Sequence, residues 1–303
     1  MAAINTGNHP KLLWPGIYEL FGNKYNELDK EYTDLFDVKT SSRNYEELVE
    51  TTGFGLVPVK DEGGSSTYDS HSQGAVSRFV HIAYSLGYIV THEELSDNLY
   101  ESVSRQRATA LAFSANQTRE NVGAQIYNRA FNTSYTGADG KALIVSDHPT
   151  ANGATTQSNV LATASDFNEL SLEDMTIQIM NAKNSRGLRI SLKPQTLLGP
   201  VNLVYEFERV LASTLQNDSS LNAINAVRST GAVPGAKTNH YFTDTDAWFI
   251  RTNAPEGLCW FDRESVSFKK DSDFDTDNAK AKLYMRFSTG WSDWRAIYGT
   301  PGA

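Results

Sequence analysis

Six histidines, one cysteine and a run of alternating aspartates are the residues of this 303-residue chain whose types suit chemistry. His9, His71, His81, His92, His148 and His240 are scattered, with no pair at the spacing that would present two imidazoles to one metal ion. Asp147-His148-Pro149 sets an acid beside a base, as half of a hydrolytic dyad would, but an aspartate capping a turn before proline explains the triplet equally well. No nucleophile can be assigned to it, and no Gly-x-Ser-x-Gly elbow occurs. Cys259 stands in the apolar run Leu258-Cys259-Trp260-Phe261, where a thiol is usually a small buried hydrophobe. Asp271, Asp273, Asp275 and Asp277 alternate like a calcium loop, but the sixth position is Thr276 instead of glycine and the twelfth is Lys282 instead of glutamate. Gly137-Ala138-Asp139-Gly140-Lys141-Ala142 lacks both the four-residue glycine spacing and the following Ser or Thr of a phosphate-cradling loop. The expectation is a chain without a catalytic, cofactor or metal site.

The elements that would have to position any site are more legible. Residues 91–131 read as one very long helix, opened by a capping box of Thr91 and Glu94 and free of proline. Leu95, Leu99, Val103, Ala110, Phe113, Ala124, Tyr127 and Phe131 form its thin apolar stripe. At 1.5 Å per residue this is a rod of about 60 Å, a spine lying across a surface; the alternative is two helices broken near Ser114 to Asn116.

Before the spine come two unusual segments. Residues 1–50 form an arm with the aromatic load of Trp14, Tyr18, Phe21, Tyr25, Tyr32 and Phe36 and little regular pattern. Those rings need burial on another part of the chain or on a neighbouring molecule. Residues 51–90 read as a long hairpin, with a short strand at 56–60 and a longer one at 76–90, and with Val76, Val80, Ile82, Tyr84, Leu86, Tyr88 and Val90 on one face. Its tip, Asp61-Glu62-Gly63-Gly64-Ser65-Ser66-Thr67, is polar and flexible. An isolated hairpin is marginal in water, so this one is expected to project and be held by a neighbour.

Beyond the spine, Ala142-Leu143-Ile144-Val145 is a candidate strand. A helix from Ser171 presents Leu172, Met175, Ile179 and Ala182, and Thr196-Leu197-Leu198-Gly199 is a buried strand. Pro200 opens a helix carrying Val204, Phe207, Leu211 and Leu215, and residues 216–240 read as an exposed tip. Strands at 247–251, 258–261, 266–269 and 280–287 follow, with 294–298 continuing the sheet, so the class is mixed α+β.

Composition limits the partners. Lys+Arg 27 against Asp+Glu 36 gives a net charge of −9, which opposes broad binding to a phosphate backbone. One cysteine excludes an intrachain disulfide and mildly favours a cytosolic origin. No secretory signal or apolar membrane span is expected.

The order of these parts resembles the major capsid protein of tailed bacteriophages, the Hong Kong 97 fold. Three local stretches look like its Mu-type major head subunit branch. They are Asp139-Gly140-Lys141-Ala142-Leu143 with Ser146-Asp147-His148-Pro149, Leu192-Lys193-Pro194-Gln195-Thr196-Leu197-Leu198-Gly199-Pro200, and Gly290-Trp291-Ser292-Asp293-Trp294-Arg295-Ala296-Ile297-Tyr298-Gly299. The resemblance implies an N-arm over 1–50, an E-loop hairpin over 51–90, and the spine with the first part of a peripheral domain over 91–165. An axial domain over 166–246 follows, then the C-terminal peripheral strands and a return to the axial domain over 247–303. It implies a non-enzymatic subunit that forms pentamers and hexamers of an icosahedral shell around double-stranded DNA, located in the virion after assembly in the bacterial cytoplasm. Partners would be itself, a separate scaffolding protein, a portal and decoration proteins, with no cofactor and no membrane. Inter-subunit contacts are expected at Trp14, Tyr18, Phe21, Lys60, Asp61, Glu62, Tyr68 and Arg78. Lys60 matches no cross-linking motif and reads as a solvated charge. An encapsulin-like compartment shell, another phage structural protein, or a hydrolase built on His148 are the competing readings.

Overall fold

The computed structural model describes residues 20–96, 100–150, 155–216, 223–273 and 277–303, with side chains of 95–105 outside the description. In chain order it holds α1 (20–27), α2 (Tyr32–Leu35), β1 (Asp37–Thr40), β2 (Tyr45–Thr51), β3 (Gln73–Val80), β4 (Ile82–Val90), α3 (His92–Ser96) and α4 (Tyr100–Asn128). Then come β5 (His148–Pro149), β6 (Thr156–Gln157), α5 (Glu169–Met180), β7 (Pro194–Pro200), α6 (Val204–Ala212), α7 (Ala226–Thr230) and β8 (Ala236–Asn239). The chain finishes with β9 (Trp248–Thr252), β10 (Leu258–Ser272), β11 (Ala279–Trp291) and β12 (Ile297–Thr300).

Two four-stranded sheets divide the body. The first runs β1-β10-β11-β4, with β1 parallel to β10 and the other pairs antiparallel; the second runs β12-β9-β7-β8. Ala281, Leu283, Met285 and Phe287 alternate inward along β11 as their spacing predicts. The segments 258–261 and 266–269, expected as separate strands, are one strand, β10, bent by irregularities in register between Asp262 and Ser267. The strand at 247–251 does not join them: β9 pairs with β7 and β12. Residues 294–298 likewise leave the first sheet, through a 3-10 turn at Trp294–Ala296, and end in the second as β12.

Of the long helix expected over 91–131, the described residues hold α3, which Thr91 caps with its Oγ accepting the Glu94 N–H at 3.4 Å, and α4, which runs unbroken past Ser114 and Asn116 to Asn128. The buried face of α4 agrees with the predicted stripe at Ala124 and Tyr127 and departs from it before them. Ala108, Leu111, Ala112, Ala115, Asn116, Arg119, Glu120, Ala124 and Tyr127 are buried, whereas Ala110 and Phe113 are exposed. Small residues on that face let α2 and Trp260 come close: a side chain at Gly123 would meet Tyr32, Phe36 and Trp260 at 3.3 to 3.6 Å. Tyr127 joins the two halves, its ring edge-on to Phe36 and Phe249 and its hydroxyl donating to Leu35 O at 2.8 Å. Leu95, Leu99 and Val103 lie outside the described side chains.

Three further expectations fail. The 142–145 strand is an irregular buried segment, satisfied instead by Ile144 N–H to Ala130 O at 2.9 Å and Val145 N–H to the Asn159 side chain at 2.9 Å. The described part of 216–240 contains α7 and β8 with Val227 and Val233 buried, so it is not simply an exposed tip. In α6 the inner face is Phe207 and Val210, with Leu211 partly buried, while Val204 and Leu215, the latter beyond the helix end, are exposed. The α5 helix holds as read, with Leu172, Met175 and Ile179 buried, but its cap is Asn168, which exchanges bonds with Ser171.

Candidate assembly surface

The hairpin exists, but with a different first strand. β2 pairs with β3 antiparallel, and residues 52–72 between them hold no strand; the apolar run at 56–60 is irregular and open to solvent. Leu56, Val57 and Val59 are 81, 93 and 96% exposed, and Tyr68 on the returning limb is 93% exposed. The long strand expected over 76–90 breaks at His81, and its inward parity changes there. Ser77 and Phe79 face in along β3, and Tyr84, Tyr88 and Val90 along β4. Two sheets meet at this residue, so one alternation cannot serve both; the His81 ring sits 3.0 Å from Ser41 Oγ and 2.9 Å from Ser288 Oγ. Val76 and Val80 of β3 and Ile89 of β4 lie on the opposite faces, and Ile82 and Leu86, although on the Tyr84 face, are left open as well; each of the five is 40 to 58% exposed.

The loop is tied down at its base and free at its tip. Thr52 and Ser72 exchange backbone and side-chain bonds at 2.9 to 3.1 Å. Asp69 accepts from Gly55 N–H at 2.8 Å and pairs with Arg186 beyond α5. These donors hold the Asp69 carboxyl well below the usual carboxylate range. Lys60 precedes a tight turn in which Gly64 N–H bonds Asp61 O at 3.0 Å, and Lys60, Asp61 and Glu62 all point into solvent. Arg78 lies apart from them, in β3, over the Tyr45 ring at 3.9 Å and 3.0 Å from Glu47.

The arm behaves differently. Phe21 is buried by its own chain, stacked 5.1 Å from Phe268 of β10, so a neighbour has no access to it. Tyr32 and Phe36 pack on Trp260. Trp14 and Tyr18 lie outside the described residues. The sequence reading missed what grips the arm: Asn116, Arg119 and Glu120 in the middle of the spine. Arg119 chelates Asp262 at 2.6 and 2.7 Å. A signal was available, because Ala108, Ala112, Ala115 and Gly123 mark the same helical face.

The residues with catalytic types are built into packing. His148 is fully buried, stacked on Trp294 at 4.2 Å, with Nδ1 2.7 Å from Asp139 and Nε2 3.2 Å from Asn159. Both ring nitrogens are engaged and neither faces a hydroxyl or thiol. Burial pushes the Cys259 thiol up to about 11, away from the reactive range. Lys141 pairs with Asp147, and Gly137 packs against the Trp291 indole. Among the described residues no group of three or more metal-ligating side chains forms; Asp275 of the aspartate run is outside them. No described helix is long and apolar enough to cross a membrane.

The family described as phage capsid protein matches residues 82–300 of this chain. No curated protein matches by sequence. Among solved structures, the capsid of Myoviridae phage XM1 is similar, with a TM-score of 0.56 at 9% identity, covering 91% of this chain and 92% of that one. A Mycobacterium phage Patience structure gives a TM-score of 0.55 at 11% identity over 96% of this chain and 87% of that one. The virus-like particle from Pyrococcus furiosus gives 0.52 at 12% identity over 94% and 97%. At such identities the likeness speaks to the fold, which is of the Hong Kong 97 type.

Proposed function

The chain belongs to the phage capsid protein family, and from that premise we propose that it forms the pentamers and hexamers of an icosahedral shell by docking its hairpin on neighbouring copies. The observation that carries this reading is the exposed apolar surface of residues 54–59 and of Val76, Val80, Ile82, Leu86 and Ile89 in β3 and β4. A monomer that left it in water would forgo the burial that makes a hairpin stable, and a ring of identical subunits supplies it.

The finer features belong to the same proposal. The chain would be of the Mu-type branch, with the N-arm, E-loop, spine, peripheral and axial segments divided as the sequence resemblance implies. It would reside in the virion shell, and a separate scaffolding protein, a portal and decoration proteins would complete the particle. Its net charge of −9 fits a container for double-stranded DNA that must not grip its contents. Lys60, Asp61, Glu62, Tyr68 and Arg78 remain the proposed contact residues of the hairpin, joined by Leu56, Val57 and Val59. A compartment shell is the second reading, favoured by the likeness to the virus-like particle; its shells would hold a folded protein in place of DNA.

Negative-stain electron microscopy of the protein, expressed alone and with its neighbouring genes, tests the reading. Closed shells, tubes or rings of five- or six-fold symmetry are expected, and the triple substitution of Leu56, Val57 and Val59 to Ser should abolish them while the subunit stays folded by circular dichroism. A protein that stays monomeric or dimeric under both conditions overturns it.

A further inference from the structure

The centre of the spine buries three polar side chains against the arm, apart from the proposed assembly surface. Asn116 Nδ2 donates to Asp29 O at 3.1 Å, and Arg119 spreads over the rings of Tyr32 and Trp260 while it chelates Asp262. Glu120 is fully buried, and its Oε2 accepts the Tyr32 N–H at 2.9 Å, at the start of α2. Its Oε1 has no partner among the described residues. The nearest cation is already committed to Asp262, so an ionised Glu120 has only backbone N–H groups of the arm for compensation. A neutral carboxyl at the same place keeps the Tyr32 bond through its carbonyl and avoids the cost of a buried ion.

We propose that this seam is a proton-operated joint: the arm seats on the spine while Glu120 is neutral and lifts more readily when Glu120 ionises. The charged and titratable groups around it come from every element packed here: the arm brings Tyr25, Glu31 and Tyr32, the spine Arg119 and the segment after β8 Tyr241, while Asp262 of β10 acts through Arg119 and His240 meets Glu31. Burial is the main cause that pushes the Glu120 carboxyl up to about 7, with the like charge of Glu31 adding to it and the arm's N–H groups and Arg119 opposing it. The seated arm thus holds the Glu120 proton more tightly than the lifted arm, in which the carboxyl meets water. Seating is favoured at acid pH, weakens as pH rises from the ordinary carboxylate range, and levels off above about 7. The His240 ring lies 2.5 Å from Glu31 at the same seam, so the test must separate its contribution from that of Glu120. The inference stands on the single chain and does not depend on the shell reading.

Hydrogen–deuterium exchange of the full-length protein from about pH 5 to about pH 8 reads the joint, as protection of the amides at residues 29–36 relative to unstructured rates. Wild-type protection is expected to fall about 40-fold between pH 5 and pH 7 and then flatten. Glu120→Gln should give a flat profile, and His240→Gln should keep the wild-type fall. A flat wild-type profile, a fall that survives in Glu120→Gln, or a fall that vanishes in His240→Gln would each overturn the proposal.

Discussion

Asn159 uses every hydrogen-bonding capacity of its amide. Its Nδ2 donates to Leu143 O at 2.8 Å, Ile297 O at 3.0 Å and, more weakly, Trp294 O at 3.3 Å, while Oδ1 accepts Val145 N–H at 2.9 Å and faces His148. One buried side chain therefore replaces a strand's worth of pairing for the segment after the spine and fastens it to the C-terminal strand. Asn159→Ala should cost about 4 kcal/mol, because two or more buried backbone groups lose their partners with no room to recover them. Urea unfolding of the unassembled subunit measures it, and a loss below about 1 kcal/mol would mean that water takes over the amide's place. Nothing in the sequence marks this residue. It sits in a Thr- and Asn-rich stretch that reads as loop, and the carbonyls it serves at Trp294 and Ile297 are more than 130 positions away. His148 was legible as a notable residue but not as a structural one, since its burial comes from Trp294 and Asp139, folded onto it from two different segments.

At the scale of elements, local pattern was readable where one element faces one partner. The inward alternation of β11 and the apolar face of α5 came straight from spacing. Pattern failed where an element changes partner. The even-numbered run from Val76 to Val90 looks like one strand, yet His81 hands it from one sheet to another and reverses the buried face. It failed again at residues 56–59, whose apolar side chains are left exposed among the described residues, and at β2, where Glu46, Glu47 and Glu50 hide a strand. The junction of the two sheets offers a sharp test. The turn leading from β11 to β12 rests on Gly257, whose carbonyl accepts Ser292 N–H at 2.8 Å. A Cβ there would lie 2.1 Å from Ala296 Cβ and 3.0 Å from Asp293 O. Gly257→Ala should therefore destabilise by about 2–3 kcal/mol through overpacking. Ala296→Gly alone should cost about 1 kcal/mol, and the double variant should be at least about 1 kcal/mol more stable than the sum of the singles predicts. Thermal unfolding of the four proteins decides it, and strict additivity would show that Ala296 is not the obstacle.

For the molecule as a whole, the family was legible from the order of arm, hairpin, spine and strands and from short motifs, although each motif by itself is only structural. The exposure of the hairpin tip and of Tyr68 was legible in outline, whereas Phe21 is buried against Phe268, because aromatic content says that a ring wants burial without saying where. Net charge then makes its own demand on assembly. Subunits carrying −9 each repel at distances comparable to the Debye length, whereas the apolar faces of residues 54–59, β3 and β4 attract only on contact. The repulsion is screened by salt, with a Debye length that shrinks from about 10 Å at 0.1 M to about 3 Å at 1 M, and apolar burial is not weakened by the same change. Assembly of purified subunits, followed by light scattering, should accordingly become faster as sodium chloride rises from about 0.05 M to about 0.5 M. A rate that falls over that range would mean that opposite charges across the interface, Arg78 and the tip acids Asp61 and Glu62 among them, dominate the encounter, and the apolar faces would then serve to hold the shell and not to start it.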